Sequence, residues 1–467
     1  MYDVAIIGGG PGGYLAAERL GHLGKKVLLI EKAYLGGTCL NVGCIPTKTL
    51  LNSAKTYAHA IEAHKFGVKV EGVTYDWNAM MAWKKDVIEK MRGGIASQMK
   101  RFKVDVVEGS GSIVGRGKVR ATPSAGGPAA EYDCKAILVS TGSSPFAPPI
   151  PGSKDNAKVV DSTGLLDIGA VPKKLCVIGG GVIGVEFASL FSALGSEVSV
   201  VEMMDEIIPF MDKEQAPLLR KAMRSVDFKL GCKVEKLDGA TVYYTTKAGA
   251  AEKIEADLVL MAVGRRANTA GWGAETVGLD VTPKGVNVDD RMRTNIPGIW
   301  AAGDVTGKSM LAHSAYRMAE VAVSDIVATL DGTAPASNRM RYDAVPWAVY
   351  GLPEAGGVGM TEQEAASKGI AIKKASLPMK ISGRFVAENT FAGQGAVKLI
   401  AEEETGRILG LHAVGAYASE FIWGGAALIE QELRVADVKQ LIFPHPTVCE
   451  LIRDCAWDDV FSAPVAP

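Results

Sequence analysis

The sequence predicts an α/β protein built from two doubly wound βαβ domains, the second inserted into the first, and followed by an α+β domain. Three observations predict it. A strand, a glycine-rich turn, a helix and a second strand ending in an acid follow one another from Val4 to Glu31. The same order recurs from Leu175 to Glu202, and no third such turn occurs beyond it. At 467 residues the chain is long enough for about three domains.

In the first unit, Val4 to Ile7 reads as a buried strand, and the run Gly8-Gly9-Gly10-Pro11-Gly12-Gly13 turns it into a helix over Tyr14 to Leu23. Gly8 allows the tight turn, Gly10 lets the backbone approach a pyrophosphate, and Gly13 lets the helix pack close to the strand. The helix N-terminus then faces the phosphates. Lys26 to Ile30 forms the next strand, and Glu31 is the acid expected to hold a ribose hydroxyl. This is a Rossmann-like dinucleotide site.

Next comes Gly36-Gly37-Thr38-Cys39-Leu40-Asn41-Val42-Gly43-Cys44-Ile45-Pro46-Thr47-Lys48. On a straight helix, residues five apart have Cα atoms roughly 8.6 Å apart. A disulfide tolerates no more than about 7 Å. If Cys39 and Cys44 bond, the backbone between them is distorted, and Gly43 permits that. So short a loop gains little closure entropy, so the pair reads as a reducible redox centre rather than a staple.

Between the two fingerprints, Ala136 to Ser140 is a strand, Thr141-Gly142 a turn, and Ser143 to Gly152 a Pro-rich linker. In the second fingerprint Gly179, Gly181 and Gly184 take the turn positions, ahead of a helix over Val185 to Leu194 and a strand over Val198 to Val201. Glu202 accepts from a 2′-hydroxyl and repels a 2′-phosphate, and no Arg lies in Met203-Met204-Asp205-Glu206, which favours NAD over NADP. The exit Leu258 to Arg266, through Gly264, returns the chain toward Ile299 to Asp304. The expected boundaries are 1–147 and 271–338 for the first domain, 148–270 for the inserted one and 339–467 for the last. Within that last part Ala396 to Ile400 reads as a strand and Glu420 to Leu433 as a helix.

Lys+Arg 51 against Asp+Glu 52 leaves a net charge of −1, so nothing in the charge points to nucleic acid or an anionic membrane. No apolar stretch has the ~18 residues of a membrane span, and Tyr2-Asp3-Val4 opens without the regions of a signal peptide. A cytoplasmic protein is expected. Seven cysteines do not make a secreted disulfide framework. Cys134, Cys176 and Cys232 read as isolated, buried small residues, while Cys449 and Cys455 are the rival pair. His22, His59, His64 and His412 read as surface or core residues, and no His/Cys spacing suggests a metal.

The motif from Gly36 to Lys48, the two fingerprints and the run Phe443-Pro444-His445-Pro446-Thr447-Val448-Cys449-Glu450 together resemble the pyridine nucleotide-disulfide oxidoreductases along essentially the whole chain. Pro46-Thr47-Lys48 is the lipoamide-type ending. The resemblance implies an FAD- and NAD-linked enzyme that reoxidises dihydrolipoamide, working as a homodimer with a lipoyl domain or carrier protein of a 2-oxo acid dehydrogenase or glycine cleavage system. It implies FAD on Gly8, Gly10, Gly13, Glu31, Thr141 and Gly142, with Asp304 on the ribityl chain and Lys48 near flavin N5. The helix that begins at Ala312-His313 would face the pyrimidine ring. NAD falls to Gly179, Gly181, Gly184, Glu202 and Gly264.

By the same resemblance Cys39 is the interchange thiol, Cys44 the thiol against the flavin, and Glu186 the carboxylate paired with Lys48, although its helical context alone reads as a surface acid. His445 is the base that reaches the disulfide of the partner subunit, and the last domain is the dimerisation domain. A dithiol attacks only as a thiolate, which suits an imidazole of pKa ~6.5, and Glu450 is placed to bond its far nitrogen. Ser314-Ala315-Tyr316-Arg317-Met318 departs from the family's usual lysine and acidic residues after Ala312-His313. Gly351-Leu352 and Ala355-Gly356, around Pro353-Glu354, depart as well. The alternative is a related reductase of another low-molecular-weight disulfide, such as glutathione.

Overall fold

Val4 to Ile7 are at most 3% exposed, as a strand covered on both faces requires. In the computed structural model, which describes residues 1–334 and 337–462, they belong to strand β1 (Tyr2–Ile7), the centre of a parallel sheet. The chain divides into two units, one of residues 1–50, 76–146 and 264–340, the other of residues 51–75, 147–263 and 341–467.

In the first unit, β1 lies between β2 (Val27–Glu31), with Val4 opposite Val27, and the strand Ala130–Val139, with Ile7 opposite Val139. The strand Asp105–Gly115 adds beside β2, and Ile299–Ala301 adds beside Ala130–Val139, both parallel. From Gly109 onward the former pairs antiparallel with Lys118–Pro123. Helix α1 spans Pro11–His22, three residues earlier than expected, because proline lacks only an N–H that the first helical position leaves unpaired. Helices α2 (Gly37–Val42), α3 (Cys44–Glu62) and α4 (Trp77–Arg101) follow, the part of α3 beyond residue 50 grouping with the second unit.

The expected linker is a strand at its start. Ser143–Pro145 pairs antiparallel with Arg265–Ala267, so the outgoing and returning chains satisfy each other's backbone groups. Arg265 Nε donates to Ser143 Oγ at 2.7 Å and its Nη2 to the Ser143 carbonyl at 2.6 Å. Arg266 stacks 3.6 Å above the Phe146 ring. For this reason residues 264–270 group with the first unit rather than with the inserted segment. At the other expected boundary, Met340 N–H donates to the Asp290 carbonyl, and Pro335 and Ala336 lie outside the described residues.

In the second unit a parallel sheet runs in the order Val226–Leu230, Glu197–Glu202, Lys174–Ile178, Leu258–Met261, Val159–Val160. Helix Val182–Ala193 buries every residue from Gly184 to Phe191. Like α1 it starts three residues before the sequence reading, since its glycine belongs to the first turn and packs on the sheet. Residues from 347 to 414 form a five-stranded antiparallel sheet, against which helix Ala418–Glu430 packs. Among the described residues no helix is long and apolar enough to cross a membrane.

This unit also buries a charge. Lys398 and Asp212 are both fully buried, with Nζ 3.0 and 3.1 Å from the two Asp212 oxygens, 2.6 Å from Glu362 and 2.9 Å from Glu214. Burial pushes the Asp212 carboxyl up, but the charge and hydrogen bond of Lys398, with His412 and the Glu214 N–H, together hold it below the usual range. Hydrogen bonds from Lys374 and then Lys398 hold Glu214 and Glu362 low too. Removing the cation alone leaves an unpaired buried carboxylate. Lys398→Ala is therefore expected to lower stability by about 3–5 kcal/mol in urea denaturation. Carboxyls held low stabilise the fold above the unfolded pKa of about 4 and lose that contribution as pH falls through their folded values. Wild-type stability should thus drop below about pH 4, and less steeply in Lys398→Met.

Candidate active site

Both glycine turns are latched in the same way. Gly9 N–H donates to Glu31 Oε2 at 2.6 Å and Ala33 N–H to Glu31 Oε1 at 2.7 Å. Gly180 N–H donates to Glu202 Oε2 at 2.5 Å and Met204 N–H to Glu202 Oε1 at 2.7 Å. Each carboxylate is thereby fixed at the end of its strand, beside the turn. Gly8 and Gly179 have φ of +104° and +107°, and a Cβ there would lie 2.2 and 2.5 Å from a carbonyl oxygen of the next strand's end. At Gly13 and Gly184 a Cβ would lie 1.8 and 2.0 Å from the carbonyl of the first glycine. These four glycines answer to the protein's own packing.

Gly10 and Gly181 do not. A Cβ at Gly10 would meet only Gly37 Cα at 3.8 Å, and one at Gly181 would meet nothing within 4 Å. The space kept clear at these two helix N-termini fits a pyrophosphate drawn against the backbone.

Helix α2 stops at Val42, and Gly43 leaves helical geometry before α3 begins at Cys44. A Cβ on Gly43 would press to 2.9 Å on the Thr38 carbonyl oxygen. The break is held by side chains. Asn41 Nδ2 donates to the Leu35 and Gly37 carbonyls, Thr47 Oγ1 donates to the Gly43 carbonyl at 2.7 Å, and Arg92 of α4 donates to Asn41 Oδ1 at 3.0 Å. Cys39 and Cys44 are present as thiols and are hydrogen-bonded to each other. That bond, then burial, pushes the Cys39 thiol well above its ordinary range, against the opposing charge of Lys48. Lys48 lies one turn beyond Cys44 on α3.

The remaining sequence candidates take these places. Asp304 accepts from Ser143 Oγ at 2.5 Å, and burial raises its carboxyl despite that bond. Thr141 Oγ1 donates to the Asn268 carbonyl and Gly142 takes φ +72°. Gly264 takes φ +113° with open space around it. Ala312 and His313 open helix Ala312–Asp331. Glu186 is 3% exposed, not on the surface, because its helix is buried nearly all round; one oxygen accepts the Tyr350 N–H at 3.1 Å.

His445 Nδ1 lies 2.9 and 3.1 Å from the two oxygens of Glu450, while its side chain is 81% exposed. The Thr447 N–H, at 2.8 Å, and then His445 hold the Glu450 carboxyl below its usual range. An ionised carboxylate only accepts, so Nδ1 carries a proton toward Glu450, and in the neutral ring Nε2 presents the lone pair. Of the rival pair, Cys455 is fully buried and Cys449 contacts Thr447 Oγ1. Among the described residues no group of three or more His, Cys, Asp or Glu is arranged to hold a metal ion.

Sequence reasoning missed Ser143, Asn268 and Arg265, which hold the Asp304 and Thr141 turns, and it missed Tyr14. Tyr14 and Tyr316 bond through their hydroxyls across 302 positions of sequence, and only the departure at Tyr316 signalled it.

The two kinds of glycine separate in experiment. Gly181→Ala is expected to leave the unfolding free energy in urea nearly unchanged, within about 0.5 kcal/mol, while weakening dinucleotide binding about tenfold or more by calorimetric titration. Gly184→Ala should lose stability outright. Tight dinucleotide binding by Gly181→Ala would remove the close-approach reading.

Comparison with known proteins bears on the whole chain. Residues 2–319 match the pyridine nucleotide-disulphide oxidoreductase family, and residues 345–456 match its dimerisation domain. A dihydrolipoyl dehydrogenase of Bacillus subtilis (strain 168) is 37% identical over 462 residues, covering 97% of this chain and 95% of its own. Dihydrolipoyl dehydrogenase 3 of Pseudomonas putida is 39% identical over 468 residues, covering 98% of each. Among solved structures, the HOCl-induced flavoprotein disulfide reductase RclA of Escherichia coli matches with a TM-score of 0.85 at 29% identity, covering 98% of this chain and 100% of that one. LpdA of Mycobacterium tuberculosis matches with a TM-score of 0.88 at 26% identity, covering 98% and 99%. With both nucleotide turns, the thiol pair and the C-terminal sheet inside the matched stretches, the chain belongs to the pyridine nucleotide-disulphide oxidoreductase family.

Proposed function

We propose that the chain acts as a dihydrolipoyl dehydrogenase, oxidising dihydrolipoamide to lipoamide through Cys39 and Cys44 with FAD and reducing NAD+ to NADH. The observation that carries this reading is a cavity of about 300 Å3 in the first unit, which opens onto Cys39. Its lining includes Leu40, Ile45, Met91 and Ile95; Glu18 is its only charged residue, with no Lys or Arg. An uncharged aliphatic arm ending in a dithiol suits such walls, whereas the carboxylates of a glutathione-type disulfide would find no cation. The relatives at 37% and 39% identity, both named dihydrolipoyl dehydrogenases, support the same reading.

In this reading Gly8, Gly10, Gly13 and Glu31 hold FAD with Thr141, Gly142, Asp304 and the helix at Ala312-His313, while Gly179, Gly181, Gly184, Glu202 and Gly264 hold NAD. Lys48 is assigned to the flavin and Glu186 to the nicotinamide end. FAD and NAD+, when bound, supply the two-electron oxidation of the thiol pair and the final hydride acceptor. Through Nε2, His445 takes the proton of a substrate thiol, and the Glu450 carboxylate stabilises the imidazolium. The substrate thiolate attacks Cys39 Sγ and Cys44 leaves as a thiolate. The second substrate thiol then attacks its bonded sulfur and Cys39 leaves, so one disulfide forms in the substrate as one breaks in the protein. Two copies join through the dimerisation domain, His445 of each serving the thiols of the other. The partner is a lipoyl domain or carrier protein of a 2-oxo acid dehydrogenase or glycine cleavage system, in the cytoplasm.

Anaerobic titration of the holoenzyme with dihydrolipoamide tests the reading. Long-wavelength absorbance from a thiolate beside the flavin should appear at two-electron reduction and vanish in Cys44→Ser; bleaching without it would sink the disulfide route. His445→Ala should lose about 10²–10⁴-fold in dihydrolipoamide turnover, while oxidation of NADH by a small artificial acceptor persists. Faster lipoamide reduction with NADPH than with NADH would overturn the role given to Glu202.

A further inference from the structure

In each nucleotide turn the glycine latched by the acid is also held from outside the turn. Gly9 C=O accepts the Gly36 N–H, and Gly180 C=O accepts the Ile208 N–H, both at 2.9 Å. In a trans peptide the carbonyl and the next N–H point in opposite directions. The bond from Ile208 therefore aims the Gly181 N–H the other way, while the Gly180 N–H is already held by Glu202. Gly181 is also the residue whose missing Cβ leaves open space. At the first turn the outside donor belongs to the strip that carries Cys39. At the second it belongs to a strap, residues 207–214, that carries no reacting group.

The strap is held in place by the C-terminal part of the second unit. Ile208 is fully buried with φ +46°, a conformation that a β-branched residue keeps only where its surroundings impose it. The Met211 N–H closes the turn on the Ile208 C=O at 2.8 Å. Gln363, on the short helix Glu362–Ser367, then clamps the chain on either side of Asp212: its Nε2 donates to Met211 C=O at 2.8 Å, and its Oε1 accepts the Lys213 N–H at 3.3 Å. Asp212 itself accepts from Lys398 and from the Glu362 N–H. The Phe210 ring stands edge-on to Trp347, 5.2 Å between centroids. A capping box of Thr361 and Glu364 fixes the helix that carries Gln363. Hydrogen bonds thus run without a gap from Gln363 through Met211 and Ile208 to Gly180.

We infer that Gln363 is a positioning residue for the nucleotide of the second turn: acting through the strap, it fixes the Gly180–Gly181 peptide so that the Gly181 N–H meets the pyrophosphate of NAD. The inference rests on the NAD reading of that turn given above. An N–H set in advance needs no reorientation when the phosphate arrives, whereas a peptide free to rotate loses that freedom on binding. The adenosine end is served by a different peptide. Glu202, which faces the ribose, is held by the N–H groups of Gly180 and Met204 rather than by the strap.

The test is inhibition of NADH oxidation by a small artificial acceptor, in holoenzyme, with ADP-ribose and with adenosine as competing probes. Gln363→Met keeps the bulk of the side chain and removes both hydrogen bonds. It should weaken ADP-ribose about fivefold or more, the worth of about one hydrogen bond, and leave adenosine within about twofold. Gln363→Glu keeps the acceptor for the Lys213 N–H but sets a carboxylate oxygen against Met211 C=O, so it should weaken ADP-ribose in the same direction. ADP-ribose within about twofold of wild type, or an equal loss with both probes, overturns the inference. Should Gln363→Met fail to hold FAD, the same two results in Gln363→Glu overturn it. A wild-type holoenzyme that ADP-ribose does not inhibit would sink the NAD reading and the inference with it, a failure that shows before any substitution is made.

Discussion

Residues five apart on an unbroken helix cannot touch, and the stop at Val42 is what brings Cys39 and Cys44 together. Gly43 makes the stop, since any side chain there would press on the Thr38 carbonyl. Side chains of the same stretch brace the break: Asn41 donates to the Leu35 and Gly37 carbonyls and Thr47 Oγ1 to that of Gly43. The strip from Gly36 to Lys48 thus carries both the reactive sulfurs and the hydrogen bonds that keep its distortion affordable. Continue the helix through residue 43 and the thiols part, leaving a cavity with one sulfur and no exchange.

The two nucleotide turns reach one geometry from different sequences. After the acid the chain reads Lys32-Ala33 in one site and Met203-Met204 in the other, yet each carboxylate accepts an N–H from its own glycine turn and another from two residues on. A carboxylate has about four lone-pair positions. Two backbone bonds therefore fix its rotamer and leave acceptor capacity for ribose hydroxyls. Because the charge is held in place, a 2′-phosphate at Glu202 would meet an anion that cannot swing away.

What could be read from the sequence was chemistry contained in a short run. The fingerprints, the cysteine strip and the loop from His445 to Glu450 each place their partners within about two helical turns or one βαβ unit, so spacing alone speaks for them. Contacts made by distant segments were not legible. The strand Ser143–Pro145 exists because Arg265–Ala267 returns beside it, which a Pro-rich composition concealed. Glu186 looked like a surface acid because nothing local says that its helix is covered. Lys398 collects Asp212, Glu214 and Glu362 from separate stretches, and Tyr14 finds Tyr316 only when α1 packs on the helix that follows Leu311.

The exchange proposed for Cys39 asks one pocket to accept a neutral arm and to tolerate a sulfur that alternates between thiol and thiolate. A lysine or arginine in the lining would favour the thiolate throughout the cycle and would also attract anionic disulfides. Apolar walls alone would admit the arm but oppose release of Cys39, whose thiol the burial already disfavours as an anion. In the proposed dimer the base answers that opposition, since the partner's His445 becomes an imidazolium beside the thiols once it has taken the substrate proton. Selectivity for an uncharged substrate then rests on the lining of the cavity, and release of Cys39 on a base that gains its charge only when the substrate gives up its proton.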